Sequence, residues 1–178
     1  MVDPKKLMQK AVEFHGHSCP GVTIGVMAAK YILEHGHDFS VDEELVAVVE
    51  NDNCSVDALQ ALLGTTFGKG NLVFKDYGKN NYTFYNRTKE KAVKLSLNPK
   101  KSLRSEDLTR EERIEKMLKM EPRDLFNIKQ VEFSPPSKAK IHESIKCDNC
   151  GDPTMATRIE EHAGKRLCIP CYQKIKKN

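Results

Sequence analysis

The sequence predicts an α+β protein with helices packed on a mainly antiparallel sheet, followed by a small treble-clef zinc finger. Three observations carry this expectation. Helical periodicity fills the first third of the chain and short β-rich segments follow it, an order that keeps helices and strands apart. Two CxxC knuckles, Cys147/Cys150 and Cys168/Cys171, lie seventeen residues apart near the end of the sequence. Ser134-Pro135-Pro136-Ser137 supplies a semi-rigid spacer before them. The boundaries implied are 1–98 for the α+β core, 99–140 for a helical extension and linker, and 141–178 for the finger.

Each element has a local reason. Asp3 caps a first helix with Pro4 in its opening turn, its apolar face formed by Leu7, Ala11, Val12 and Phe14 and its end set by His15-Gly16. After a Pro20-Gly21 turn, Val22, Ile24, Val26, Met27, Tyr31 and Ile32 make a second helix. It is apolar on more than one face, hence central to the core, and Gly36 ends it. The β-branched run Leu45-Val46-Ala47-Val48-Val49 predicts a buried strand. Ser55 or Asn53 caps a third helix that runs to Leu63 and stops at Gly64. Strands at 72–74, 82–85 and 92–97 follow at spacings that suit an antiparallel meander. Pro99 breaks the pattern. Thr109 then caps a helix whose narrow stripe of Ile114, Met117 and Leu118 marks a surface element, and 130–133 reads as an edge strand or linker.

Composition narrows the function classes. No run approaches the roughly 20 apolar residues of a membrane span, and no secretory h-region is visible, so a cytoplasmic protein without membrane contact is expected. Six cysteines without an export signal point to metal binding rather than disulfides. The net charge of +4 comes wholly from Ser137 onward, residues 1–136 being neutral. Attraction to nucleic acid would therefore lie in the tail. It is not favoured, because clusters rather than totals make such a footprint.

Two constellations carry chemistry. Cys147, Cys150, Cys168 and Cys171 have the spacing of a closed four-thiolate zinc shell, and no thioredoxin-like βαβ pattern supports a redox role. In Phe14-His15-Gly16-His17-Ser18-Cys19-Pro20-Gly21, His15, His17 and Cys19 alternate and point one way in an extended turn. Cys54 arrives from the end of a strand, at a helix N-terminus that favours a thiolate. Imidazole and thiolate donors suit a transition metal with an open position. Asp57, one turn past Cys54, is placed to ligate, to orient a histidine or to act as a base, and equally to stabilise its own helix. Gly64–Asn71 is not a Walker A loop, having the wrong glycine spacing and Gly70 at the Ser/Thr position. It reads as a flexible turn lining the metal cleft, with Lys69 available for an anionic substrate, and equally as an ordinary turn with a solvated lysine.

Taken together, these segments resemble the FmdE family, which is named after formylmethanofuran dehydrogenase. The residues responsible are 14–21, Cys54-Ser55-Val56-Asp57-Ala58-Leu59-Gln60, Gly64–Leu72 and Asp76-Tyr77-Gly78-Lys79. The resemblance covers roughly residues 7–98, and 147–171 resemble the treble-clef finger that some family members carry. It implies an α+β homodimer with a metal-containing cleft, linked to one-carbon (methanofuran/CO2) metabolism and methanogenesis as an accessory or metal-handling partner of formylmethanofuran dehydrogenase. Many relatives have a cysteine where this chain has Thr65, which leaves His17, Cys19 and Cys54 as core ligands with His15 in reserve.

Two metals are thus expected, a structural zinc in the finger and a second transition metal (zinc, nickel or iron) in the core. The core site is compatible with an enzyme, in which Asp57 or His15 moves a proton and Lys69 meets substrate, and with a metal carrier. The alternative class is a regulator that binds nucleic acid or protein through Arg158, Lys165, Arg166 and Lys174 of the finger.

Overall fold

In the computed structural model, which describes residues 2–101, 103 and 107–176, helix α1 (Pro4–His15) starts where Asp3 Oδ1 accepts the Lys5 amide at 2.9 Å. It ends at Gly16, whose φ of 92° only glycine adopts without strain. Helix α2 (Pro20–Glu34) begins at the proline itself, so the expected turn is the helix's first residues; the missing N–H of Pro20 loses nothing at that position. Val22 through Ile32 are buried on every side, as the all-round apolar pattern requires.

Strand β1 (Leu45–Val49) is buried along its length and feeds helix α3 (Ser55–Leu63), which Gly64 ends at φ 66°. The sheet then departs from a simple meander. Strand β2 (Leu72–Phe74) lies parallel to β1, Ala47 opposite Leu72, and not beside β3 (Asn81–Asn86). The cause is α3: a chain that leaves a strand through a helical crossover returns parallel to it. The order is β2-β1-β3-β4-β5, antiparallel from β1 onward through β4 (Lys91–Leu97) and β5 (Phe126–Val131). Alternate residues Leu45, Ala47, Val49, Tyr82, Phe84, Val93 and Leu95 join α1–α3 in one core.

The first compact unit runs to Lys138 and so takes in most of the segment expected as an extension. Helix α4 (Arg110–Lys119) has a capping box between Thr109 and Glu112, and it buries Ile114 and Met117 in the main core. The short α5 (Pro122–Leu125) leads into β5, which satisfies the free edge of β4. The second unit, from Ala139, holds two small hairpins, β6 (Ser144–Lys146) with β7 (Pro153–Met155) and β8 (Ile159–His162) with β9 (Lys165–Cys168), before helix α6 (Ile169–Lys176). No described helix is long and apolar enough to cross a membrane.

Candidate metal centres

Three helix ends build the first centre. His15 is the last residue of α1, Cys19 is the N-cap of α2 and Cys54 is the N-cap of α3. One ligand atom from each of His15, His17, Cys19 and Cys54 lies within 4.8 Å of the others. The histidines converge through a helix end and a left-handed glycine rather than through strand-like alternation. Their rings sit 4.4 Å apart. Arg110 donates to the Ser18 carbonyl across 92 residues of sequence, tying the N-terminus of α4 to this loop. Gly21 leaves the space between the thiols open, since a Cβ there would lie 3.1 Å from Cys54 Cβ and 3.6 Å from Cys19 Sγ.

His15 is the most informative member. Its Nδ1 lies 2.7 Å from Asp57 Oδ2, and an ionised carboxylate only accepts, so Nδ1 carries a proton and in the neutral ring Nε2 holds the lone pair. That Nε2 is buried and has no hydrogen-bond partner among the described residues. Buried polar atoms without partners are rare. A metal ion is the group this donor set would accept, two imidazoles and two thiols matching a borderline-soft cation. Asp57, held also by Gln60 Nε2 at 3.3 Å, orients the histidine. His15, expected in reserve, thus stands with the other three.

The sulfurs differ. Cys19 Sγ accepts the Val22 amide at 3.4 Å. Burial pushes the Cys54 thiol above the ordinary 9.0, and the neighbouring Cys19 thiol adds to the effect. This outweighs the helix N-terminus, which the sequence alone suggested would favour the thiolate. In the metal-free protein Cys54 therefore contributes its full stability below pH 9.0 and loses it as pH rises through the raised value. A metal bound through Cys54 would have to displace that proton, so its affinity would climb with pH and keep climbing beyond 9.0. Metal-buffered titrations from neutral to alkaline pH check this; a flat affinity would contradict it.

The remaining core expectations resolve differently. Lys69 donates to the Ser40 and Val41 carbonyls at 2.7 and 3.3 Å, so two of its three N–H donors tie two loops together. Nor is the 64–71 loop loosely held. Asn71, 0% exposed, binds the Asp42, Leu45 and Gly64 carbonyls, and its Oδ1 accepts the Thr66 amide at 2.9 Å. Thr65 is buried and gives its hydroxyl to the Leu59 carbonyl at 3.4 Å.

The second centre gathers Cys147, Cys150, Cys168 and Cys171, one sulfur from each within 4.8 Å of the rest. Cys147 and Cys150 flank a knuckle closed by the Gly151 amide on the Cys147 carbonyl; Cys168 ends β9 and Cys171 rides on α6. The Cys168 amide and Asn149 Nδ2 donate to Cys147 and Cys171 sulfurs, each at 3.3 Å. Amides, those of Cys150 and Cys168 foremost, draw the Cys147 thiol down to about 6. The Asp152 amide pulls Cys150 the same way, but desolvation and the adjoining thiols push it up to about 12. Four crowded thiols with N–H groups turned towards sulfur fit a structural zinc shell, which takes all four as thiolates.

An α+β core with a His/Cys cluster, joined to a four-cysteine treble-clef finger, defines a metal-binding protein. Residues 14–127 match the family FmdE, molybdenum formylmethanofuran dehydrogenase operon, and residues 143–177 match the prokaryotic dksA/traR C4-type zinc finger. The chain belongs to the FmdE family. It is similar to a probable S-adenosyl-L-methionine-binding protein of Archaeoglobus fulgidus, 33% identical over 196 positions covering 93% of this chain. The chain spans 52% of that relative's length. A tungsten formylmethanofuran dehydrogenase FmdE-like protein from Syntrophus aciditrophicus shares the fold, with a TM-score of 0.72 at 22% identity over 96% of this chain and 92% of that one.

Proposed function

We propose that the chain is a metal-handling accessory protein of one-carbon (methanofuran/CO2) metabolism, with His15, His17, Cys19 and Cys54 taking up a transition metal such as zinc, nickel or iron. The observation that carries this reading is the buried Nε2 of His15, without a hydrogen-bond partner among the described residues, within a cluster of two thiols and a second imidazole. A bound ion would supply Lewis acidity or serve as cargo. Asp57 keeps the His15 proton on Nδ1, and the two thiols release theirs as they ligate. His15, His17, Cys19 and Cys54 together would supply the four donors that such an ion takes from protein. His17 is the exposed member of the four and would be the ligand most accessible to an acceptor of the ion. This suits a carrier better than a permanent catalytic site, and substrate-dependent turnover would argue for an enzyme instead.

A homodimer in the cytoplasm, associated with formylmethanofuran dehydrogenase, belongs to the same proposal. The regulator reading gains less support. Arg166 lies 3.9 Å from Asp148 and opposite Glu161 in its hairpin, so part of the finger's positive charge is matched internally.

Asp57→Asn tests the site, since the amide no longer demands a proton on His15 Nδ1. Core-metal affinity should fall about 10–100-fold while the finger keeps its zinc; an unchanged affinity would remove Asp57 from the account. Incubating loaded protein with metal-free formylmethanofuran dehydrogenase tests the carrier role. One equivalent should leave the core for the complex, and retention of the ion would count against it.

A further inference from the structure

Cys54 is held from both sides by a hydrogen-bond chain that begins in the sheet. Tyr82 on β3 is 0% exposed, and its hydroxyl lies 2.7 Å from Ser55 Oγ, which is equally buried. Ser55 donates its one hydroxyl proton to Asn53 Oδ1 at 2.6 Å, which leaves Tyr82 to donate across the 2.7 Å contact, Asn80 Oδ1 lying further from its hydroxyl at 3.5 Å. The same Asn53 oxygen accepts the Ser55 amide at 3.0 Å, while Asn53 Nδ2 donates to Asn80 Oδ1 at 2.7 Å, returning the chain to the residue before β3. The residues immediately before and after Cys54 are therefore anchored to one strand. The N-terminus of α3 depends on this anchoring, because Cys54 occupies the N-cap with φ −52° and ψ −20° and makes no capping bond through its own side chain.

We infer that Tyr82 is a positioning residue for the core metal centre: through Ser55 and Asn53, its hydroxyl sets the direction in which Cys54 offers its sulfur. The inference rests on the metal-centre reading proposed above. Groups bonded directly to a ligand typically govern about 10–100-fold in metal affinity, and Tyr82, acting through the backbone on either side of Cys54, belongs at the lower end of that range. A buried chain of hydroxyl and amide groups is also sensitive to losing one member, since the group left behind finds no water.

The test is a Co(II) titration of the full chain with zinc already in the finger, following the sulfur-to-cobalt absorption of the core. Wild-type protein should give one saturable band that Cys54→Ser weakens to about half and Cys19→Ala/Cys54→Ala abolishes, one and two of its thiolates being lost. Tyr82→Phe keeps the ring and removes only the hydroxyl; it should bind Co(II) about 10-fold more weakly, with a shifted band. Ser55→Ala should behave alike. Tyr85→Phe, on the same strand but packed against Phe133 at 5.7 Å, should match wild type. Retained secondary structure by circular dichroism reports that each variant is folded. A Tyr82→Phe protein with lowered thermal stability but wild-type affinity and band overturns the positioning role, because that is how a merely structural tyrosine behaves. A wild-type protein lacking the Cys54-dependent band overturns the metal centre itself, and this inference with it.

Discussion

Stripping zinc from the finger, by chelation or by Cys147→Ser, should unfold the second unit outright. Its buried apolar residues are Cys147, Leu167, Cys168 and Cys171, with Tyr172 packed alongside, so three of four are metal ligands. A segment this small has no hydrophobic core to fall back on. Zinc binding in such modules contributes on the order of 10–16 kcal/mol, far more than the few contacts around Leu167 supply. Hydrogen exchange gives the readout: amides of β8, β9 and α6 should lose protection while those of β1, β3 and β4 keep theirs. A finger that stays protected without metal would show that the cysteines are not its principal support.

Gly25→Ala should be among the most damaging single methyls in the core unit. α2 and α3 cross so closely that a Cβ at position 25 would sit 2.2 Å from the Ser55 carbonyl oxygen and 2.8 Å from Ala58 Cβ. The first neighbour is backbone and cannot rotate aside, so the helices must separate. Overpacking a core typically costs about 1–3 kcal/mol and occasionally more; this site belongs at the upper end. Moving Ser55 also moves Cys54, so metal affinity should fall together with the urea midpoint. Gly21→Ala, whose Cβ would meet Cys54 Cβ at 3.1 Å, should press on the ligand with a smaller loss of stability. A wild-type midpoint for Gly25→Ala would contradict this helix crossing.

The helix ends were legible because each is written locally: Asp3, Thr109, Gly16 and Gly64 sit where caps require them. The four-cysteine finger was equally readable, its ligands being close in sequence within each knuckle. Strand order was not. The parallel placement of β2 follows from the crossover through α3, which periodicity does not encode, and β5 was recognised only in its last residues because its pairing partner lies about thirty residues upstream. At the core site, residue types and local spacing singled out His15, His17, Cys19 and Cys54. What escaped were contacts between distant segments: Arg110 on the Ser18 carbonyl, Tyr82 beneath Ser55, and the loop carbonyls that claim Lys69. The raised Cys54 thiol escaped for the same reason, since burial belongs to the packed core and not to the local sequence.

Metal content per chain, measured on protein purified without added metal beside its Cys19→Ala/Cys54→Ala double variant, tests the central claim most directly. Two metals in the wild type falling to one in the variant is the result expected of a separate core centre. One metal in both proteins would contradict it, leaving the finger's zinc as the metal this protein carries.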